Sequence, residues 1–454
     1  MEDDKKSGRS KTGAVKLSEI MSTLEALGAS PRKSFGQNFL HDENLVRWIV
    51  DRLELLPGDH VIEIGPGLGA LTGEIVRRGV SATLLEKDRL FAGFLRQKFS
   101  GCETEVIEGD AICYDARNAF LLRPVKVLGN LPYYMSSQLI FHFCSEPSPF
   151  DRMVFTVQKE MADRIAAGPG SKDYGSISII IQSRWRVEKL RVLPPSVFVP
   201  RPQVDSVVIL LTPPALDELG DFQKLGQLVK LGFSERRKQL RKLLAREGEI
   251  EAALEFLHLP VTARAEELSL QQWIRLTNFL APLKVKGTDQ HELLAVVDDE
   301  DHPVEPRDRA TIHREGLMHR AVHVLILNRQ GDLFLQKRSH RKDRFPDRWD
   351  SSAAGHVDAG ESYDDCARRE LKEELGIATE LVERGRVPAS IRTDQEFISI
   401  YSGIHDGPLS WNLQEIETGG FFKLEMIDRW IESRPQDFAD GFIECYRKVR
   451  AQLR

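Results

Sequence analysis

Cysteine is scarce in this sequence. Only Cys102, Cys113, Cys144, Cys366 and Cys445 occur in 454 residues, an odd number with no Cys-x-x-Cys pair. That scatter argues against a disulfide frame or a cysteine-built zinc site and suggests reduced thiols in a cytoplasmic protein. No run of 18 apolar residues exists, so no membrane-spanning helix is expected. The opening Met1-Glu-Asp-Asp-Lys-Lys-Ser-Gly-Arg-Ser-Lys lacks the apolar core of a signal segment. Residues 1–32 therefore read as a disordered or partly helical polar extension. No internal repeat is visible. A strong excess of charge is also missing, but the net −6 is unevenly spread, about +2 over residues 1–290 and −8 over 291–454. The acidic part argues against nucleic acid there and suits a metal site, whereas the first part stays open to RNA.

What is present is enough chain for two or three domains, each able to bury a core. The first two thirds is organised around Val61-Ile-Glu-Ile-Gly-Pro-Gly-Leu-Gly-Ala-Leu-Thr72. Apolar Val61, Ile62 and Ile64 predict a buried parallel strand, Gly65, Gly67 and Gly69 a tight turn, and Ala70 onward a helix. Such a unit brings bare backbone amides and a helix N-terminus to a ligand. Its Gly-x-Gly-x-Gly spacing departs from the Gly-x-Gly-x-x-Gly of dinucleotide binders.

Further strands are predicted at Thr83–Glu86, Glu105–Asp110, Val125–Leu128, Asp151–Val157, Ile177–Val187 and Ser206–Leu211. Alternation with helical stretches, one of them carrying Leu45, Trp48, Ile49 and Leu53, predicts a doubly wound, largely parallel sheet. In that fold ligands sit at the carboxyl ends of the strands, and Gly65, Glu86, Asp110 and Asn130 all fall there. Glu86 stands 17 residues past Gly69, where such folds place a carboxylate for ribose hydroxyls.

Pro213-Pro214 ends this pattern, and residues 217–281 read as a small helical subdomain. Within it Phe233–Arg246 predicts a basic amphipathic helix with Leu240, Leu243 and Leu244 as its apolar face. Arg236, Arg237, Lys238, Arg241 and Lys242 are its candidate RNA phosphate contacts, with a merely solvated face as the alternative. Residues 284–290 read as a linker. A new pattern starts at Leu293, and Ala321–Leu327 turns through Gly331-Asp332 into Leu333–Gln336 as a hairpin.

Asn130-Leu-Pro-Tyr133 is the most informative short stretch. The lone pair of an exocyclic amine on a base is delocalised into the ring. Acceptors at the Asn130 side-chain carbonyl and the Leu131 backbone carbonyl would draw that nitrogen toward sp3 and aim its lone pair. Pro132 fixes the turn, and Tyr133 offers a face on which a base can stack. Residues 33–282 resemble the bacterial family that dimethylates adenine N6 in small-subunit ribosomal RNA. The resemblance rests on Phe35-Gly-Gln-Asn-Phe-Leu40, Glu63-Ile-Gly-Pro-Gly-Leu-Gly69, Glu86-Lys-Asp88, Gly109-Asp-Ala111, Asn130-Leu-Pro-Tyr133, Gln158-Lys-Glu160, Tyr174-Gly175 and Pro194–Ser206. It implies S-adenosylmethionine against Gln37, Asn38, Leu40, Gly65, Gly67 and Ala111. Glu86 would lie on its ribose, Asp110 on its adenine amine, and Asn130 at its methionine end and the substrate. Phe198 would stack opposite Tyr133, and two methyl groups would go in turn to each of two adjacent adenines near the 3′ end of the RNA, in a 30S assembly particle. The sister family, which methylates a large-subunit adenine, shares most of these motifs. The Pro194–Ser206 block and Asn-Leu-Pro-Tyr favour the small-subunit family.

Gly355-His-Val-Asp-Ala-Gly-Glu361, seven residues, then Arg369-Glu-Leu-Lys-Glu-Glu-Leu-Gly-Ile377 is a complete Nudix box. Glu370, Glu373 and Glu374 stand at i, i+3 and i+4, so one helix face gathers hard oxygen donors for Mg²⁺ or Mn²⁺. Glu361 can join them from the loop, and Arg369 can orient a carboxylate. An ion held there neutralises a diphosphate and activates a water. Phe334–Arg338, Trp349–His356 and Pro435–Phe438 resemble the isopentenyl-diphosphate-isomerase-like branch of this superfamily. True isomerases carry a catalytic cysteine where this chain has Ser351, Ser352, Ala353 and Ala354, which leaves hydrolysis. Lys337 and Arg338 are candidate diphosphate contacts, and Glu396 and Glu415 compete as general base.

The expected architecture is α/β throughout. It comprises a Rossmann-like S-adenosylmethionine-dependent methyltransferase sheet (33–212), a helical RNA-binding subdomain (213–283), the linker, and a Nudix α/β/α sandwich (291–454). The expected protein is a cytoplasmic, monomeric, two-activity enzyme with no membrane partner. Its partners are small-subunit ribosomal RNA and a small diphosphate-containing metabolite. The rival reading makes one half a catalytically idle binding or assembly module.

Overall fold

The computed structural model of the protein describes all residues except 1–16, 32–35, 215–220, 236, 283–292, 343, 412, 414 and 454. The expected linker, Arg236, and Phe35 of the first motif therefore lie outside the described residues. The chain divides into two compact units, Met1–Ala281 and Pro282–Arg454. No helix among the described residues is long and apolar enough to cross a membrane.

The first unit is built on seven strands. They are β1 His60–Ile64, β2 Ser81–Glu86, β3 Thr104–Glu108, β4 Val125–Asn130, β5 Phe150–Gln158, β6 Arg186–Leu193 and β7 Ser206–Thr212, in spatial order β3-β2-β1-β4-β5-β7-β6. β3 through β5 pair in parallel; β7 runs antiparallel between β5 and β6. Every residue of β1 is buried, as a strand covered on both faces requires.

The helices packed around this sheet are α1 Leu17–Ala26, α2 Glu43–Asp51, α3 Ala70–Arg77, α4 Arg89–Lys98, α5 Ser136–Phe143, α6 Lys159–Ile165 and α7 Ser176–Gln182. Side chains start two of them: Asp42 accepts from the Leu45 amide at α2, and Asp88 from the Leu90 amide at α4. The isoleucine run from Ile177, expected as a strand, is the helix α7. Gly175 opens it, and the Ser178 hydroxyl accepts from the Gly175 amide while donating to the Arg164 carbonyl. The run is apolar on every side because it is wedged between two cores. Ile177 and Ile181 meet the sheet, and Ile179 meets the helical cluster beyond it.

That cluster holds α8 Phe222–Gly232, α9 Leu240–Leu243, α10 Ile250–Phe256 and α11 Leu270–Leu280 around Trp273. The long basic helix expected over Phe233–Arg246 is absent. α8 stops where the Ser234 hydroxyl bonds the Leu231 carbonyl, and α9 is a single turn that begins after extended Gln239. The break lets the Leu240 amide reach the Ala263 carbonyl and drops Leu240 and Leu244, but not Leu243, fully into the core.

In the second unit β8 His319–Leu327 is central. It runs parallel to β13 Glu396–Ile404 on one side and pairs antiparallel with β11 Ala353–His356 and, at Leu327, with β9 Leu333–Arg338. β10 Trp349–Asp350 and β14 Ile416–Phe422 flank β9, and β12 Val382–Val387 edges β13. After the short α12 Arg309–Glu315, the helix α13 Tyr363–Leu375 covers one face through Cys366, Ala367, Leu371 and Leu375 against Val322, Val324 and Ile326. α14 Leu424–Ser433 and α15 Asp440–Val449 join an aromatic chain that includes Trp349, Phe422, Trp430, Phe438 and Phe442, and Gly441 lies against His323 and Ile398. Alternate residues of β8 thus face different helices, the layering of an α/β/α sandwich.

Candidate functional sites

A cavity opens at the carboxyl ends of β1 to β4, lined among others by Gln37, Asn38, Gly65, Glu86, Asp110 and Asn130. Its atom-free space, about 1010 Å³, includes open solvent at the mouth. Leu40, Gly67 and Ala111 also line it. Gly65, Gly67 and Gly69 take φ of +65°, +57° and +77°, which other residues rarely adopt. A Cβ on Gly65 would meet nothing within 4 Å, while one on Gly67 would press on the Phe39 ring at 2.9 Å. The turn therefore presents bare backbone with no room to spare beneath it.

Glu86 fixes that turn. Its carboxylate accepts from the Gly67 amide at 2.9 Å and from the Asp88 amide at 2.8 Å. Burial raises its pKa, and these amides pull it back. Asp110 accepts from the Ile112 amide at 3.2 Å and from the Lys87 ammonium at 2.7 Å. Partial burial pushes its carboxyl up, yet the Lys87 and Ile112 hydrogen bonds outweigh that and leave it below its ordinary value.

The side-chain amide of Asn130 donates to the Asn38 carbonyl at 2.8 Å. A carbonyl can only accept, so the nitrogen of Asn130 is assigned there and its oxygen remains an acceptor. Leu131 is buried behind it, its amide bonded to the Thr156 carbonyl, and Pro132 lines the cavity. Tyr133 is half-buried, its hydroxyl 2.6 Å from the Ser206 hydroxyl. Phe198, expected to stack opposite Tyr133, is enclosed in this structure. Phe198 pairs with Leu40 in a two-residue ladder and is 1% exposed inside the core, so it offers no open face.

The basic segment is dispersed. Lys238 pairs with Glu235 at 2.7 Å, Arg241 bonds Gln239 at 3.0 Å and reaches Glu251 at 3.4 Å, and Arg237 and Lys242 are exposed.

In the second unit the box residues assemble around Arg369. Its guanidinium meets Glu361 at 2.8 and 2.9 Å, Glu370 at 2.6 Å and Glu373 at 3.5 Å, and donates to the His356 carbonyl at 3.1 Å. Glu361 holds the Arg369 pKa well above its ordinary value. Burial pushes the Glu361 carboxyl up, and Arg369 reverses this to a net lowering. Glu370 and Glu374 are buried against β11. A Cβ on Gly355 would sit 2.2 Å from the Glu370 carboxyl, and the Ala354 amide and Gln336 side chain both donate to Glu374 at 3.2 Å.

The candidate diphosphate contacts are already engaged. Lys337 pairs with Glu417 at 3.1 Å, and Arg338 is tied to Asp350 at 3.0 Å and to the Arg344 carbonyl at 3.2 Å. Glu415 is ion-paired with Lys342.

Glu396 belongs to a group that sequence reasoning missed. His313, His319 and His356 bring their ring nitrogens within 4.8 Å of one another. Glu396 lies 3.2 Å from His356 Nε2 and 3.8 Å from His319 Nε2. His319 Nδ1 donates to the Leu317 carbonyl, and His313 Nδ1 lies 3.4 Å from Asp394. Their Nε2 atoms are buried without a hydrogen-bond partner. Burial, with His356 and His313 nearby, lowers the His319 pKa to about 4, so that ring is neutral at pH 7 and keeps its Nε2 lone pair. Strand register explains the meeting: His319 lies beside Glu396 and Ala321 beside His356. The signal in the sequence is the pair His313 and His319 upstream of the Gly-His of the box.

Residues 28–282 match the family described as ribosomal RNA adenine dimethylase, and residues 317–438 match the NUDIX domain. The ribosomal RNA small subunit methyltransferase A of Leptothrix cholodnii is 41% identical over 249 residues, 54% of this chain and 91% of that protein. Its namesake from Saccharophagus degradans is 41% identical over 261 residues, 56% of this chain and 96% of that protein. A dimethyladenosine transferase structure from Plasmodium falciparum aligns at 25% identity with a TM-score of 0.46, over 52% of this chain and 95% of its own. The chain belongs to the ribosomal RNA adenine dimethylase family and carries a Nudix hydrolase domain in its second unit.

Proposed function

We propose that the first unit transfers two methyl groups in turn to each of two adjacent adenines near the 3′ end of small-subunit ribosomal RNA. The observation that carries this reading is the fixed orientation of Asn130, whose oxygen is kept as an acceptor by the bond from its nitrogen to Asn38. With the Leu131 carbonyl it accepts the two amino hydrogens of the target and directs the nitrogen lone pair toward the methyl group. The cavity suits S-adenosylmethionine, which supplies an electrophilic methyl group. Gly65 offers bare backbone, Glu86 acceptors for ribose hydroxyls, and Asp110 an acceptor for the adenine amine. A carboxylate has about four acceptor positions, so the Lys87 pair does not use up Asp110. The small-subunit target follows the names of the relatives.

The second unit, in the same reading, hydrolyses a diphosphate-linked metabolite. Glu361, Glu370, Glu373 and Glu374 supply hard oxygen donors for Mg²⁺ or Mn²⁺; Arg369 pairs with the first three, and the Ala354 amide and Gln336 hold Glu374. Such an ion offsets the charge of the diphosphate and lowers the pKa of an attacking water. The imidazoles of His313, His319 and His356 with Glu396 suit a borderline ion such as Zn²⁺. Glu396 is then engaged at that centre and Glu415 is ion-paired with Lys342, so both competing candidates for general base already have a partner.

Asn130→Ala tests the central claim. It is expected to abolish dimethyladenosine in undermethylated small subunits, read by primer-extension arrest, with the circular dichroism of the protein unchanged. Dimethylation at the wild-type rate by this variant would remove Asn130 from the reaction.

A further inference from the structure

An enzyme that works on a base in RNA needs an aromatic face that the nucleic acid can reach. Three aromatic side chains lie close to Asn130 in sequence or in the core beneath it, and they differ in access. Phe198 is laddered to Leu40 and enclosed. Tyr133 is half-buried and anchored through its hydroxyl to buried Ser206. Tyr134 is 55% exposed and lines the same cavity as Asn130, Gly65 and Asp110.

The position of Tyr134 is set by its neighbours. The Pro132 carbonyl accepts from the Met135 amide at 3.0 Å, and the Tyr133 carbonyl from the Ser136 hydroxyl at 3.1 Å, so the backbone on both sides is tied into the start of α5. Gly36 takes φ +62° directly against this turn. A Cβ placed there would lie 2.9 Å from Pro132 Cβ and 3.5 Å from the Tyr134 ring. The 36–38 loop is joined to the turn by the bond from Asn130 to the Asn38 carbonyl. The ring is thus backed by protein at one edge and open at the mouth of the cavity. A stacking platform held this way loses little conformational freedom when a base arrives.

We propose that Tyr134 is the stacking platform for the nucleotide next to the target adenine, in single-stranded RNA. The inference rests on the reading that this cavity holds the methyl donor and that Asn130 receives the target amine. With one adenine at Asn130, its neighbour must wait outside, and the open aromatic face at the mouth belongs to Tyr134. Two adjacent adenines that are modified in turn would exchange these places. Tyr134 is a positioning residue in this account and touches neither reacting atom.

The test uses the full chain with undermethylated small subunits and compares Tyr134→Ala, Tyr134→Leu and Tyr134→Phe. Donor affinity is measured separately by calorimetry without RNA, and the methylation state of each adenine by mass spectrometry. Loss of one base–aromatic stack corresponds to a weakening of about tenfold. Tyr134→Ala and Tyr134→Leu are expected to raise KM for the subunit by about that factor, with the loss falling on KM more than on kcat and donor affinity within about twofold. They should also leave more RNA with only one of the two adenines modified. Tyr134→Phe, which keeps the ring, should restore wild-type KM. A Tyr134→Leu protein with wild-type KM overturns the proposal, because an apolar side chain without a π face would then suffice. Donor affinity that weakens in step with KM overturns it as well, by assigning Tyr134 to the donor. If the wild-type protein fails to bind S-adenosylmethionine, the reading of the cavity fails first, and this inference with it.

Discussion

Single side chains in the first unit carry large electrostatic costs, and Glu63 is the clearest. It lies inside β1, 1% exposed, and accepts from the Thr72 hydroxyl at 2.6 Å. Burial raises its pKa from 4.5 to about 7; the Thr72 bond and Lys98 oppose this, and Glu86 adds to it. A carboxyl whose pKa is higher in the folded state binds its proton more tightly there. The stability it contributes is present below pH 4.5 and is lost as pH rises through about 7. A shift of this size corresponds to about 3 kcal/mol at most. Glu63→Gln should therefore stabilise the first unit by about 1–3 kcal/mol at pH 8 and leave it nearly unchanged at pH 5, measured by denaturant unfolding. An equal effect at both pH values would mean that Glu63 is ionised throughout. The sequence marked Glu63 only as a letter in a motif; its cost comes from burial on both faces of β1, which composition cannot convey.

At the scale of elements, the parallel strands and the glycine turn were legible because their apolar runs end in Gly65, Glu86, Asp110 and Asn130, all at one edge. The Nudix box was legible because loop and helix are contiguous in sequence. Three features were not. The run from Ile177 is helical because two cores meet on it, and a short apolar run does not reveal its period. Phe233–Arg246 breaks because the Leu240 amide bonds Ala263, a tertiary contact. The histidine centre exists only through the pairing of β8 with β11 and β13. That pairing makes a prediction. Metal-stripped protein should take up one equivalent of Co²⁺ with the visible absorption of a nitrogen-rich site, and His319→Ala should lose it. Only the weak absorption of an all-oxygen site in the wild-type protein would place the ion elsewhere, for instance on the carboxylates around Arg369.

For the whole molecule, two compact units and an uneven charge argue for two chemistries on one chain. The first unit is near neutral in sequence and open to RNA, and the second is acidic and rich in oxygen donors. Each has its own core, so damage to one site should spare the other. Glu373→Gln with Glu374→Gln is expected to remove hydrolysis of every diphosphate tested, because metal charge at the reacting phosphate is worth several kcal/mol. Methylation of small subunits by the same protein should continue at the wild-type rate. Loss of both activities with folding intact would show that the units are coupled. The shared role of Glu86 bears on how such an enzyme can be altered. The carboxylate proposed to read the ribose is also the clasp that closes the glycine turn and the start of α4, through the Gly67 and Asp88 amides. Selection for a ribose-modified donor analogue therefore cannot begin at Glu86, since every replacement there opens the scaffold before it tests the new ligand. Its accessible starting point is a rim residue such as Lys87, where a change leaves that clasp shut.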